Sequence, residues 1–224
     1  MPAHLRFRSR EDAGRALATE LLEATAPPSV VLGVPRGGVA VAAPVAELLG
    51  APLAAVWIRR VVSPREPSIV LAAVDIDGDV TLSTETVRAE GLRDDQVADL
   101  SFRAHQRLLA DWEAAPGLDP TPLLPGTCAI VVEDWLDTGL TMRAAMRWVR
   151  HQFAGCVVLA VPVVDGRIWR RLASDADRAI ALEVRQDGPI ASSDIYEQYQ
   201  RVPKQEVAAI LERAARLVGA RSLP

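Results

Sequence analysis

The sequence predicts an α/β fold with a mostly parallel sheet, and two observations carry that expectation. Short apolar, β-branched runs such as Val30-Val31-Leu32 and Ile130-Val131-Val132 alternate along the chain with segments of helical periodicity. This is the pattern of strands buried on both faces and joined by crossover helices. Half of the 224 residues are hydrophobic and 24% are charged. A chain of that size and balance can bury a substantial core, as one large domain or as one domain with a small appendage.

Each element has a local reason. Ser9 followed by Asp12 has the form of a capping box and opens a helix over roughly residues 10–25. Ser29–Leu32 is a short buried strand. It runs through Gly33-Val34-Pro35-Arg36-Gly37-Gly38 into an apolar helix that ends at Leu49, with Gly50 as its stop. Leu53–Ile58 is the next strand, ending at Arg59-Arg60, and Val61–Pro67, with Pro64 and Pro67, is expected to be a loop. Ile69–Val74 and Val80–Leu82 read as a hairpin around Asp75-Ile76-Asp77-Gly78-Asp79. That turn is not a calcium loop, because its glycine falls too early, two places before the sixth position, and Thr86 stands where a bidentate glutamate is needed.

An amphipathic helix follows at about Asp94–Glu113, then a proline-rich connector with Pro116, Pro120, Pro122 and Pro125. Cys128–Val132 is the strongest strand. After it come a helix at Met142–Phe153, a strand at Cys156–Val161, a helix near Arg167–Ser174, a strand at Ala179–Val184 and a last helix from Pro203 to about Val218. No internal repeat and no low-complexity tract interrupts the pattern.

Composition excludes several functions. The net charge of −4 and a pI near 5.5 argue against a general nucleic-acid binder. No apolar run reaches the ~20 residues that span a bilayer, and the first residues lack a signal-peptide core, so the expected location is the cytoplasm. Cys128 and Cys156, both within apolar runs, read as buried thiols and not as a disulfide or zinc site. Lys204 is the only lysine, against 24 arginines. That removes a Walker A lysine and disfavours Schiff-base and protein-kinase chemistry. Any phosphate must be held by arginine, backbone N–H groups, a helix N-terminus or a metal ion.

The segment Ile130-Val131-Val132-Glu133-Asp134-Trp135-Leu136-Asp137-Thr138-Gly139-Leu140-Thr141-Met142 concentrates the chemistry. A buried strand ends in two adjacent carboxylates, where an open parallel sheet binds its ligands. The loop then opens a helix, so Asp137–Thr141 offers N–H groups and two hydroxyls at the positive end of the helix dipole, a place for a phosphate monoester. Gly139 lets the backbone approach a ligand. Glu133 and Asp134 would repel a phosphate; they suit hydroxyls such as a ribose 2′,3′-diol, or a hydrated Mg²⁺. The plainer alternative is that two acids and a glycine cap a strand and a turn.

Glu133–Thr141, E-D-W-L-D-T-G-L-T, resembles the phosphoribosyl-pyrophosphate (PRPP) signature of type I phosphoribosyltransferases, and is especially similar to the hypoxanthine/guanine branch. Val34-Pro35-Arg36-Gly37-Gly38 resembles that family's pyrophosphate loop, which often contains a non-proline cis peptide. Arg59-Arg60 followed by Pro64-Arg65-Glu66-Pro67 resembles the mobile loop and hairpin of a poorly characterised bacterial subgroup. There Arg60 stands in place of a lysine and Ser68 in place of a glutamate; a guanidinium fork is not an ammonium point charge. Tyr196–Gln200 is also similar to that subgroup, so the resemblance covers about residues 10–212.

The resemblance implies a Rossmann-like, mostly parallel five-stranded sheet flanked by helices, with a β-hairpin or flexible loop and a small hood. It also implies one domain over residues 1–224, with a core at about 27–184 and a hood at about 185–224. It implies a Mg²⁺-dependent transfer of 5-phosphoribosyl from PRPP to a nitrogenous base. On that reading Asp137, Thr138, Gly139, Leu140 and Thr141 take the 5′-phosphate, while Glu133 and Asp134 take the ribose hydroxyls and, through water or those hydroxyls, the metal. Pro35, Arg36, Gly37, Arg59, Arg60 and Arg65 face the pyrophosphate. Arg59 and Arg60 stabilise the leaving group, and Asp137 is the candidate general base, with N-capping as its plainer role.

The acceptor base stays open. The purine enzymes use a lysine near Val163-Val164-Asp165-Gly166-Arg167, and none is present, although Arg167 is at hand. Trp135 or Tyr196 could stack on a base, and core packing is the alternative for the first. Expected partners are PRPP and a small nitrogenous base or nucleotide, with no nucleic acid and no membrane; a homodimer is an open expectation. The alternative function is a non-catalytic PRPP or nucleotide sensor on the same fold, against which the chain shows no basic tail and no helix-turn-helix signal. A dehydrogenase would need G-x-G-x-x-G after an early strand, and a serine hydrolase G-x-S-x-G.

Overall fold

The structure, a computed structural model, describes residues 4–24, 29–114, 126–136, 138–152, 154–186 and 190–221. The first half runs α1 (Arg10–Ala24), β1 (Ser29–Gly33), α2 (Gly37–Leu49), β2 (Leu53–Ala55), β3 (Ile58–Val62), β4 (Val70–Asp75), β5 (Val80–Leu82), α3 (Thr84–Ala89) and α4 (Asp94–Glu113). The second half runs β6 (Cys128–Val132), α5 (Leu140–Gln152), β7 (Cys156–Asp165), α6 (Gly166–Leu172), β8 (Arg178–Arg185), α7 (Ser192–Ile195) and α8 (Lys204–Arg221). A five-stranded sheet has the order β2-β1-β6-β7-β8, and every pair in it is parallel. A second sheet, β3-β4-β5, is antiparallel. The mostly parallel α/β fold is therefore the one the sequence predicts.

Strand alternation explains the layers. Val31 and Ile130 point to one face, where Leu17 and Leu21 of α1 and Val41 and Val45 of α2 cover them. Their neighbours Leu32 and Val131 point to the other, against Met142, Met146 and Val149 of α5. Both faces are apolar because both are covered, which is why the strands read as continuous hydrophobic runs. Ser9 Oγ accepts the N–H of Asp12 at 3.2 Å and starts α1. Gly50, at φ 64° in the left-handed region, ends α2. A third cluster, with Trp57, Leu108, Val202 and Val207, joins α4 and α8 to the β2 edge.

Three expectations are corrected. The single strand Leu53–Ile58 is two: the chain leaves the parallel sheet after Val56, whose N–H still reaches Gly33 O at 3.0 Å. Trp57 is buried, and β3 then pairs antiparallel with β4. Arg59 and Arg60 consequently sit within a strand, and the expected loop begins only after Val62. Cys128 and Cys156 are disulfide-bonded, where buried thiols were expected. They are register partners at the starts of two neighbouring parallel strands, which puts one sulfur beside the other. The strand from Cys156 also continues past Val161 to Asp165. The connector at 115–125 and Phe153 lie outside the described residues.

Candidate active site

Two loops meet at the carboxyl ends of β1 and β6. Gly33 and Val132 are register partners, and the Val34 N–H donates to Val132 O at 3.0 Å. The segment after β1 is thereby laid against the acid pair after β6. The Pro35–Arg36 peptide is cis. A Cβ on Gly37 would strike the Asp134 carboxylate, and one on Gly38 would come within 2.6 Å of Val132 O. Only glycine lets these loops approach so closely. A cleft of about 600 Å³ opens beside them. Pro35, Arg36, Gly37, Arg59, Arg60, Glu133, Asp134, Thr138, Gly139 and Thr141 all line it.

The start of α5 supplies donors. The first helical bond is made by the Arg143 N–H to Gly139 O, so the N–H groups of Leu140, Thr141 and Met142 precede the helical ladder. The Leu140 N–H meets Thr138 Oγ1 at 3.4 Å. Gly139, at φ 76°, bends the chain into the helix in a conformation that other residues adopt at a cost. Leu140 itself is buried in the core, so only its backbone could serve a ligand.

Charge is sorted along the cleft. Burial, followed by the positive charges of Arg201, Arg59 and Arg60, pushes the Arg36 guanidinium below its ordinary value. All four cations line the cleft. Asp111 of α4 is their nearby anion: Arg59 Nη1 donates to one carboxylate oxygen at 2.9 Å and Lys204 Nζ to the other at 2.5 Å. Burial alone would raise Asp111, but Lys204 and Arg59 hold it below the usual carboxylate range. Burial, and then the adjacent Asp134, raise Glu133 well above its ordinary value.

Sequence reasoning missed Arg10. Its Nε donates to Asp134 Oδ2 at 2.8 Å, and its guanidinium lies 5.3 Å from the Tyr196 ring and 4.6 Å from the Tyr199 ring. Nothing near Arg10 in sequence hints at this. The contact arises because Phe7 pairs with Ile195 and Glu197 through backbone bonds of 2.8 and 2.9 Å, drawing the start of the chain onto the segment before α8. Tyr196 is 1% exposed, so it does not face the cleft as a stacking surface. Its hydroxyl donates to Asp134 O at 2.7 Å. Trp135 and Tyr199 do line the cleft.

Other expected site residues lie apart. Arg65 is in the β3–β4 turn, with Nη1 on Glu90 O at 3.2 Å, and does not line the cleft. Arg167 folds onto Asp165 through bonds of 3.1 and 2.9 Å and likewise lines no part of it. Asp137 lies outside the described residues. Among the described residues no group of three or more His, Cys, Asp or Glu side chains could hold a metal ion by itself.

The chain was compared with known proteins. Residues 5–187 match the family described as "Phosphoribosyl transferase domain". Two curated proteins of Mycobacterium tuberculosis, from strains CDC 1551 and H37Rv, are each 35% identical over 217 residues, or 94% of this chain. Each bears the name "Putative phosphoribosyl transferase". The chain spans about half, 47%, of their length. The crystal structure of TT1426 from Thermus thermophilus is similar with a TM-score of 0.77 and 34% identity, covering 93% of this chain and 99% of that one.

Proposed function

The chain belongs to the phosphoribosyl transferase domain family, and from that premise we propose that it transfers 5-phosphoribosyl from PRPP to a nitrogenous base, releasing pyrophosphate. One observation carries the reading: a single cleft is lined by Thr138, Gly139 and Thr141 at the start of α5, by the acid pair Glu133 and Asp134, and by the cations Arg36, Arg59 and Arg60. Those are the partners that a phosphate monoester, a diol and a pyrophosphate require, spread along one surface.

In this reading the 5′-phosphate lies on the N–H groups and hydroxyls that open α5. The ribose hydroxyls meet Glu133 and Asp134. The pyrophosphate lies at the loop around the cis peptide, where its negative charge relieves the crowding among Arg36, Arg59 and Arg60. In the reaction the C1–O bond breaks, its electron pair leaves with the pyrophosphate, and a base nitrogen forms the new C1–N bond. Charge grows on the leaving oxygens, and the arginines that line the cleft would stabilise it. Asp137 would take the proton from the acceptor nitrogen. The acid pair suits a hydrated Mg²⁺ held through water and ribose hydroxyls; when bound, the ion would neutralise charge on the leaving pyrophosphate. We read residues 1–224 as one domain whose part beyond about residue 185 lies beside the cleft as a hood.

The experiment is a pyrophosphate-release assay with Mg²⁺–PRPP and a panel of purine, pyrimidine and pyridine bases. Release with at least one base is expected. Tight PRPP binding with no release from any base would favour the sensor reading.

A further inference from the structure

Arg10 begins α1, 124 positions from the acid it touches. Its side chain and that of Asp134 are only 10% and 8% exposed, so their charges meet with little water between them. The guanidinium is fixed on every side: Nε on Asp134, Nη1 on Gln200 O at 2.8 Å, and the rings of Tyr196 and Tyr199 against it. Asp134 is in turn fixed at both ends, its carboxylate by Arg10 and its backbone oxygen by the buried Tyr196 hydroxyl. One carboxylate oxygen is committed to Arg10, and Asp134 lines the cleft.

We propose that Arg10 is a positioning residue for the sugar subsite, acting through Asp134. It fixes the carboxylate that reads the ribose hydroxyls, and it ties that carboxylate to the segments at both ends of the chain. The proposal rests on the PRPP reading above. It gives the buried cation beside this acid a role: the guanidinium holds the carboxylate in one orientation for the sugar hydroxyls. Arg10 is expected to matter for the sugar and not for the pyrophosphate, whose cations lie elsewhere in the cleft.

The test uses the full chain and four variants: Arg10→Gln, Arg10→Lys, Asp134→Asn and the double Arg10→Gln/Asp134→Asn. Each is titrated with Mg²⁺–PRPP and separately with Mg²⁺–pyrophosphate, after a melting curve. Arg10→Gln is expected to weaken PRPP by about tenfold or more, the size of one charged hydrogen bond, with pyrophosphate affinity within about twofold. Arg10→Lys should recover part of the loss, because a lysine keeps the charge but not the planar fork and ring stacking. In the Asp134→Asn background, Arg10→Gln should add little, since its route is already cut.

Unchanged PRPP affinity in Arg10→Gln overturns the proposal. So does an equal loss for pyrophosphate, or an undiminished further loss in the Asp134→Asn background. Should Arg10→Gln not fold, Arg10→Lys decides: weakened PRPP with unchanged pyrophosphate supports the proposal, and wild-type PRPP affinity overturns it. A wild-type chain that does not bind PRPP overturns the functional reading itself, a result distinct from all of these because it precedes any variant.

Discussion

Glu133 lines the cleft beside Asp134. Burial and the neighbouring Asp134 raise its carboxyl well above the ordinary 4.5. The folded chain therefore holds a proton there that the unfolded chain has released, and stability falls as pH rises above that ordinary value. Each unit of displacement is about 1.4 kcal/mol. Glu133→Gln removes the titration. Its melting temperature relative to wild type should rise steadily from mildly acidic to mildly alkaline buffer, and a difference that stays flat would contradict the assigned burial. Residues of this kind were legible in part. Glu133, Asp134, Thr138, Gly139 and Thr141 stand in one contiguous motif, and Arg36 and Gly37 in another, so local pattern was enough to find them. Arg10 was not legible, because its role exists only once the two ends of the chain pair. Tyr196 was visible as an aromatic near the site, but whether it faces the cleft or the core depends on the same pairing.

At the scale of elements, α4 and α8 converge on β3 through Asp111, which takes Lys204 on one oxygen and Arg59 on the other. The pair is partly exposed, with Asp111 at 28% and Lys204 at 59%, so its contribution to stability is expected to stay below about 1 kcal/mol. Its effect on binding is larger in kind, because Asp111 occupies an arginine that pyrophosphate would use. Asp111→Asn should tighten Mg²⁺–pyrophosphate by severalfold with little change in melting temperature, as read by calorimetry. A weaker complex would mean that Asp111 holds Arg59 in its productive place. The elements themselves were largely readable from period and turn residues: α4 has the predicted bounds Asp94–Glu113. The strand near residues 53–58 was not, since Leu53–Ile58, from β2 to the start of β3, is one unbroken apolar run in sequence and is divided by the burial of Trp57 against α4 and α8. The disulfide was missed for a similar reason, as it depends on the register of β6 against β7.

Across the whole molecule, the parallel sheet brings the ends of β1 and β6 together, the antiparallel sheet carries Arg59 and Arg60 to the same cleft, and the two terminal segments close over Asp134. No helix among the described residues is long and apolar enough to cross a membrane. The matched family model reaches residue 187, while Tyr199, Arg201 and Lys204 lie beyond it and line the cleft. The central claim is that this cleft takes PRPP as one extended ligand. Calorimetric titration of PRPP into the purified chain, with and without Mg²⁺, tests it most directly. The account predicts one PRPP per chain, bound markedly tighter with Mg²⁺; no heat of binding under either condition would contradict it.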